Sequence, residues 1–150
     1  MALLTDEHRA WIGRAEAPVE VEICRREIVK YALATEQVQE KYLNGDEAPP
    51  MFIFNLFGML RPPSEIRPDG LDMLNQGPTL PLKRIMAGGT EIHVHRPIVP
   101  GDRLVGIHHI TDMFEKEGST GALIFMVRKL EVRTVEGEPV MDEIQTLIAR

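Results

Sequence analysis

A single cysteine, Cys24, in 150 residues leaves the chain no internal disulfide, and a reducing, cytoplasmic setting is the expectation. Basic residues are also in short supply, with 17 Lys and Arg against 23 Asp and Glu, a formal net charge of −6. Phosphate backbones demand clustered cations, so a nucleic-acid surface is not expected. The acidic residues are dispersed, which suits solubility better than a site. Any anionic ligand would need a local cationic patch working against that global field. No stretch approaches the roughly 18 uninterrupted apolar residues of a membrane span, so no membrane partner is expected. Residues 1–14 mix acids and bases without an apolar core, which is not the pattern of a signal peptide. Internal repeats and low-complexity tracts are missing too.

What is present reads as one soluble domain over 1–150, with 43% hydrophobic and 27% charged residues. Residues 18–23, PVEVEI, alternate apolar and charged side chains and predict a half-buried strand. Ile28, Tyr31, Ala32 and Thr35 recur at helical spacing over 25–35. A second helical piece is expected over 37–43, broken by Asn44-Gly45-Asp46. Pro49-Pro50 then precedes MFIFNLFGML, residues 51–60, apolar on nearly every side. Proline at a first turn favours a helix start. A ten-residue helix apolar all round must be enclosed by the rest of the protein. Asn55 and Gly58 would interrupt the alternative, a buried strand. Five prolines, with Gly70 and Gly77, make residues 61–81 a long irregular loop of the length usually kept for function.

From Arg84 onward the chain reads as strands. Ile92 and Val94 alternate with His93 and His95, and Pro100-Gly101 suits a type II turn. Strands are expected over 103–114, 122–133 and 140–148, with turns at 116–119 and 136–137. The expected class is α+β: a four-strand antiparallel meander curved around the central helix, the hot-dog architecture. In the third long strand Leu123, Phe125 and Val127 oppose Ala122, Ile124 and Met126, so both faces look buried. One face would pack on the helix and the other on a second subunit.

The ordered set IGR (12–14), VEVEICRREIVKYALAT (19–35), APPMFIF (48–54) and HRPIVPGDRL (95–104) resembles the N-terminal type of MaoC-like dehydratase. That group is related to the dehydratase region of fungal-type fatty acid synthases. The closing residues 115–150 are similar to its last three strands. The resemblance implies hydration of enoyl thioesters, or dehydration of (R)-3-hydroxyacyl thioesters, carried on CoA or an acyl carrier protein, without a cofactor. It also implies an Asp and a His five positions apart in the loop after the first helix. Imidazole suits proton transfer near neutral pH. Backbone N–H groups at a helix N-terminus would meet the charge developing on the thioester oxygen.

The chain departs from the pattern in that loop. Alignment on Ala34-Thr35 puts Gln37 at the Asp position and Tyr42 at the His position. An amide is no carboxylate base, and a phenol holds its proton at neutral pH. No Asp in the chain is followed by a His five places on. Some members of the family pair an Asp/His half with a half that has lost both. The expectation is therefore a non-catalytic, substrate-binding subunit of a heteromeric hydratase, with a hot-dog partner supplying the pair. A hot-dog acyl-CoA thioesterase is an alternative, although 51–60 lacks a carboxylate and only Asp46 and Glu47 lie near it. A non-catalytic acyl-CoA-binding scaffold is another.

Substrate contacts are expected from Phe52, Asn55, Gly88, Gly89 and Arg96. Met51, Phe54, Phe57 and Met59 are candidates for an acyl tunnel or for plain core. Lys83 and Arg84 offer local positive charge. Glu91, His93 and His95 share a strand face, but no third ligand at a useful spacing completes a metal site. His108 and His109 are adjacent on a strand and point to opposite faces.

Overall fold

A computed structural model describes residues 2–54, 56–58, 60, 62–66, 77–119 and 121–150. After a short helix α1 (Asp6–Arg9), strand β1 (Val19–Glu22) alternates half-buried valines with exposed glutamates. Helix α2 (Arg25–Ala34) presents Ile28 and Ala32, one turn apart and both fully buried, to the core. Helix α3 (Glu40–Leu43) is a single turn.

The ten-residue helix expected over 51–60 is not there. Pro50–Ile53 forms one 3-10 turn, and Phe54, at ψ 120°, already leaves helical space. The segment is also not enclosed on all sides: Phe52, Ile53 and Phe57 are buried, whereas Met51 and Phe54 are well exposed and Leu60 fully so. The reason lies in how Phe57 packs. It drops directly onto the backbone of Gly106, where an added Cβ would lie 2.3 Å from its ring. A chain descending to make that contact cannot continue as a helix parallel to the sheet. The helix that packs on the core is α2, and it does so through one stripe only, Ile28 and Ala32. Of the expected loop over 61–81, Pro63–Glu65 makes a 3-10 turn and residues 77–81 are irregular; residues 61 and 67–76 lie outside the described set.

Strands β2 (Ile85–Val94), β3 (Arg103–Gly118), β4 (Gly121–Thr134) and β5 (Pro139–Ala149) complete one antiparallel five-stranded sheet of order β1-β3-β4-β5-β2. The expected four-strand meander is thus corrected to three, β3-β4-β5. Strand β2 instead pairs with β5 along Ile85↔Ala149 to Val94↔Met141. The prolines after β2 explain the switch, since Pro97 and Pro100 cannot donate to a ladder. Residues 98–102 turn against β1 instead: Gly101 N–H bonds Ile23 O, and Ile23 N–H bonds Asp102 O. Gly101, at φ 88°, takes the third position of the expected type II turn, closed by Asp102 N–H to Val99 O. Bulges at Ile110/Asp112, Ala87/Gly89 and Val132/Arg133 bend the ladder and help the sheet curve.

One face of the sheet, here the inner face, carries two apolar clusters. The first joins Leu104, Leu130, Val132 and Met141 to Ile28, Phe52, Ile53 and Phe57. The second joins Ile110, Met113, Ile124, Met126 and Leu147 to Leu4, with Trp11, Leu80 and Leu82 against it.

Candidate functional site

The loop after α2 is closed by its own backbone. Glu36 sits in the left-handed region at φ 54°, the only non-glycine to do so among the described residues. Its N–H bonds Leu33 O, and Gln37 N–H bonds Ala32 O at 2.9 Å. This is a Schellman-type helix end, with glutamate where glycine is usual. The Gln37 amide donates to Thr35 Oγ1 at 3.2 Å, and Thr35 Oγ1 donates back to Tyr31 O. Tyr42 is buried on α3, its ring covered by the Lys41 ammonium, which also pairs with Glu47. Hydrogen bonding to Glu47 holds the Lys41 pKa above its usual value. The loop from Glu36 to Tyr42 thus carries an amide held to its neighbour and a buried phenol. The Asp–His contact found among the described residues, His95 Nε2 to Asp142 Oδ2 at 2.9 Å, lies elsewhere, on the outer face of the sheet. Lys129 stands 3.7 Å from the same Asp142 carboxylate.

The other expected contact residues are scattered. Phe52 is buried and meets Tyr31 edge-on at 5.6 Å. Asn55 and Met59 lie outside the described residues. Gly88 is required by packing, because an added Cβ would lie 2.9 Å from the Ile148 side chain, whereas Gly89 faces open space. Arg96 grips Asp102 through two nitrogens at 2.9 and 3.1 Å and reaches Glu138 at 3.3 Å. Its fork is thus engaged within the chain, and bonding to Asp102 raises its pKa further. Lys83 and Arg84 are exposed. His93 pairs with Glu91 at 2.7 Å, and no cluster of three metal-ligating side chains occurs among the described residues.

A second grouping was missed from the sequence. On β4 the inner-face positions run Ile124, Met126, Arg128, Leu130, Val132, all buried, so one arginine interrupts an apolar row. Register places it opposite Ile110 on β3 and Gln145 on β5. Its neighbour Leu130 is flanked by His108 on β3 and Glu143 on β5. Glu16, held beside β3 by its N–H bond to His108 O, meets the Arg128 guanidinium at 3.2 Å. A polar band thus crosses the inner face between the two apolar clusters. Burial, with Arg128 and His109 adding to it, lowers the His108 pKa to about 4, so its imidazole is neutral at pH 7. Burial raises the pKa of both Glu16 and Glu143 in spite of the opposing Arg128 charge. The signal was legible as Arg128, whose strand neighbours two residues away, Met126 and Leu130, are apolar, but only a known register shows that it converges with Glu143.

Comparison with known proteins places the chain. The family description for the FAS1-like dehydratase domain region matches residues 10–143. A UPF0336 protein of Saccharopolyspora erythraea is 38% identical over 81 residues, covering 53% of this chain and 49% of that relative, about half its length. Among solved structures, the ChsH1-ChsH2 complex from Mycobacterium tuberculosis superposes with TM-score 0.68 at 16% identity, over 90% of this chain and 83% of that one. The C-terminally truncated HadBC (3R-hydroxyacyl-ACP dehydratase) complex from the same organism gives TM-score 0.68 at 18% identity, over 93% and 97%. R-hydratase PhaJ1 from Pseudomonas aeruginosa gives 0.57 at 15%, over 92% and 81%. No helix among the described residues is long and apolar enough to cross a membrane. The match over residues 10–143, on a hot-dog fold shared with these structures, shows that this chain belongs to the FAS1-like dehydratase domain region family.

Proposed function

We propose that the chain is the non-catalytic, substrate-binding half of a heteromeric (R)-specific enoyl-thioester hydratase or 3-hydroxyacyl-thioester dehydratase. The observation that carries this reading is the loop at 36–42, where Gln37 bonds Thr35 and Tyr42 is buried under Lys41. The loop offers neither a carboxylate at Gln37 nor an imidazole at Tyr42, so the general base and the matching acid are assigned to another chain. Two structural neighbours are themselves two-component complexes, ChsH1-ChsH2 and HadBC, which supports a hot-dog partner. The outer face offers room for contact: Leu123, Phe125, Val127, Ile144 and Ile148 are only half-buried, and Phe114 and Phe125 stack at 4.9 Å. Contiguous half-exposed apolar side chains on a sheet face are a common mark of an interface. The lone, exposed Cys24 supports a reducing, cytoplasmic setting. Phe52 is the proposed contact for the acyl group, presented as the CoA or carrier-protein thioester.

Reconstitution tests this. The protein is co-purified from its native host, the accompanying hot-dog chain is identified, and each is assayed alone and mixed for hydration of an enoyl-CoA. Turnover is expected only when a partner bearing Asp and His is present. Full turnover by this chain alone overturns the reading, and release of free CoA from acyl-CoA would reassign it as a thioesterase.

A further inference from the structure

The second apolar cluster is covered by a segment that never joins the sheet. Residues 3–11 bond along their own backbone, from Arg9 N–H to Thr5 O through Trp11 N–H to His8 O. Pairing with β3 begins only at Ile12 and Gly13, both against Ile110. Leu4 is nonetheless 4% exposed, seated among Ile110, Met113, Ile124, Met126 and Leu147 with Leu3 and Trp11 beside it. Among the described residues, two sets of hydrogen bonds hold this segment down. The Glu115 carboxylate accepts Leu3 N–H at 3.1 Å and Leu4 N–H at 2.7 Å. His8 Nδ1 accepts the Thr5 N–H at 3.0 Å, which leaves Nε2 as the N–H that donates to Thr79 O at 3.1 Å. Few tethers, within reach of water, put the segment at the low-stability end of the fold. Gly13, at φ 80° with open space around it, lies at the joint.

We infer, resting on the acyl-binding role above, that residues 3–11 are a hinged flap and that Leu4 fills the place taken by the far end of a long acyl chain. The surface beneath suits an alkyl chain, because its side chains are aliphatic or thioether and leave no polar group dehydrated. Met113 and Met126, unbranched and adaptable, can reshape around either a leucine or a methylene chain. Chain length decides which occupant wins. Phe52 belongs to the first cluster with Leu130, and Met126 of the second lies four positions along β4, about 13 Å of extended strand away. A short acyl group held at Phe52 stops before that point. A long one passes Arg128, reaches the Leu4 seat and lifts the flap, so closure of the flap weighs against long chains alone. Leu4 and Glu115 thereby set chain-length preference without touching the reacting atoms.

Trp11, the single tryptophan of the chain, rides on the flap and reports its position. The test is titration of the full chain with butanoyl-CoA and dodecanoyl-CoA, following Trp11 emission and its quenching by acrylamide. Butanoyl-CoA is expected to bind with the emission unchanged, and dodecanoyl-CoA to bind with a red shift and stronger quenching. Leu4→Ala is expected to tighten dodecanoyl-CoA at least about fivefold and to leave butanoyl-CoA within about twofold. Glu115→Gln, which leaves one acceptor oxygen for two N–H groups, is expected to act the same way more weakly. An equal Trp11 response to the two esters, or weaker dodecanoyl-CoA binding by Leu4→Ala, overturns the flap and spares the acyl-binding role. Failure of both esters to bind overturns the two together.

Discussion

The two faces of the sheet invert the usual arrangement. On β4 the inner row is buried and nearly all apolar, yet holds Arg128; the outer row, Leu123, Phe125, Val127, Lys129 and Glu131, is half-exposed, yet begins with three apolar side chains. Polarity intrudes where the chain closes on itself, and apolarity is left where it does not. A self-sufficient monomer gains from neither feature, since a buried charge is costly and a greasy outer face invites association. The outer patch makes sense if it meets the partner proposed above.

Neighbouring residues on β4 give the sharpest way to break this comparison. Arg128→Met removes the buried guanidinium that pairs with the half-buried Glu16 and should destabilise by about 3–5 kcal/mol. Lys129→Met, one position away and paired at the surface with Glu131 and Asp142, should change stability by less than about 1 kcal/mol. Denaturant titration of both variants measures the contrast, and equal effects would erase the distinction between faces. The adjacent apolar pair is expected to follow suit. Ile124→Ala, fully buried, should cost about 2–5 kcal/mol. Phe125→Ser should leave the isolated chain nearly unchanged, within about 1 kcal/mol, but weaken co-purification with its partner in a pull-down.

The fold was legible in the sequence wherever a period was clean. The alternation over 19–22, the spacing of Ile28 and Ala32, and the Pro100-Gly101 turn all lie where the patterns put them. Two features were not legible, for separate reasons. Apolarity around 51–60 measures burial but not conformation, and the close seat of Phe57 on Gly106 is a contact between residues 49 positions apart in sequence. The placement of β2 beside β5 depends on a crossover that strand patterns do not encode. Of the site, Gln37 and Tyr42 were reached only through the family resemblance, by alignment on Ala34-Thr35. The band of Glu16, His108, Arg128 and Glu143 draws on a loop edge and three strands and needs the register.

Acidity sharpens the comparison at a smaller scale. The folded site holds His108 at about 4, below the usual 6.5, so between those values the unfolded chain takes up the proton and the native one resists it. Stability from this group is full above pH 6.5 and falls away as the pH drops toward 4. Burial is the main cause, with Arg128 and His109 adding to it, whereas Glu16 and Glu143, whose pKa values are raised, oppose the trend by giving stability below their unfolded pKa that is lost as pH rises. Thermal melts across pH 4–7 should therefore show a shallower acid decline for His108→Leu than for the unaltered chain. The smallest expected effect is at the helix end, where Glu36→Gly relieves a left-handed glutamate and should add about 0.5–1 kcal/mol in the same melts.

The central claim is that this chain contributes no acid–base pair of its own. Single-chain turnover of an enoyl-CoA, measured for the unaltered protein and for Gln37→Ala with Tyr42→Phe, addresses it most directly. The account predicts background hydration in both. Hydration well above background that collapses in the double variant would contradict it.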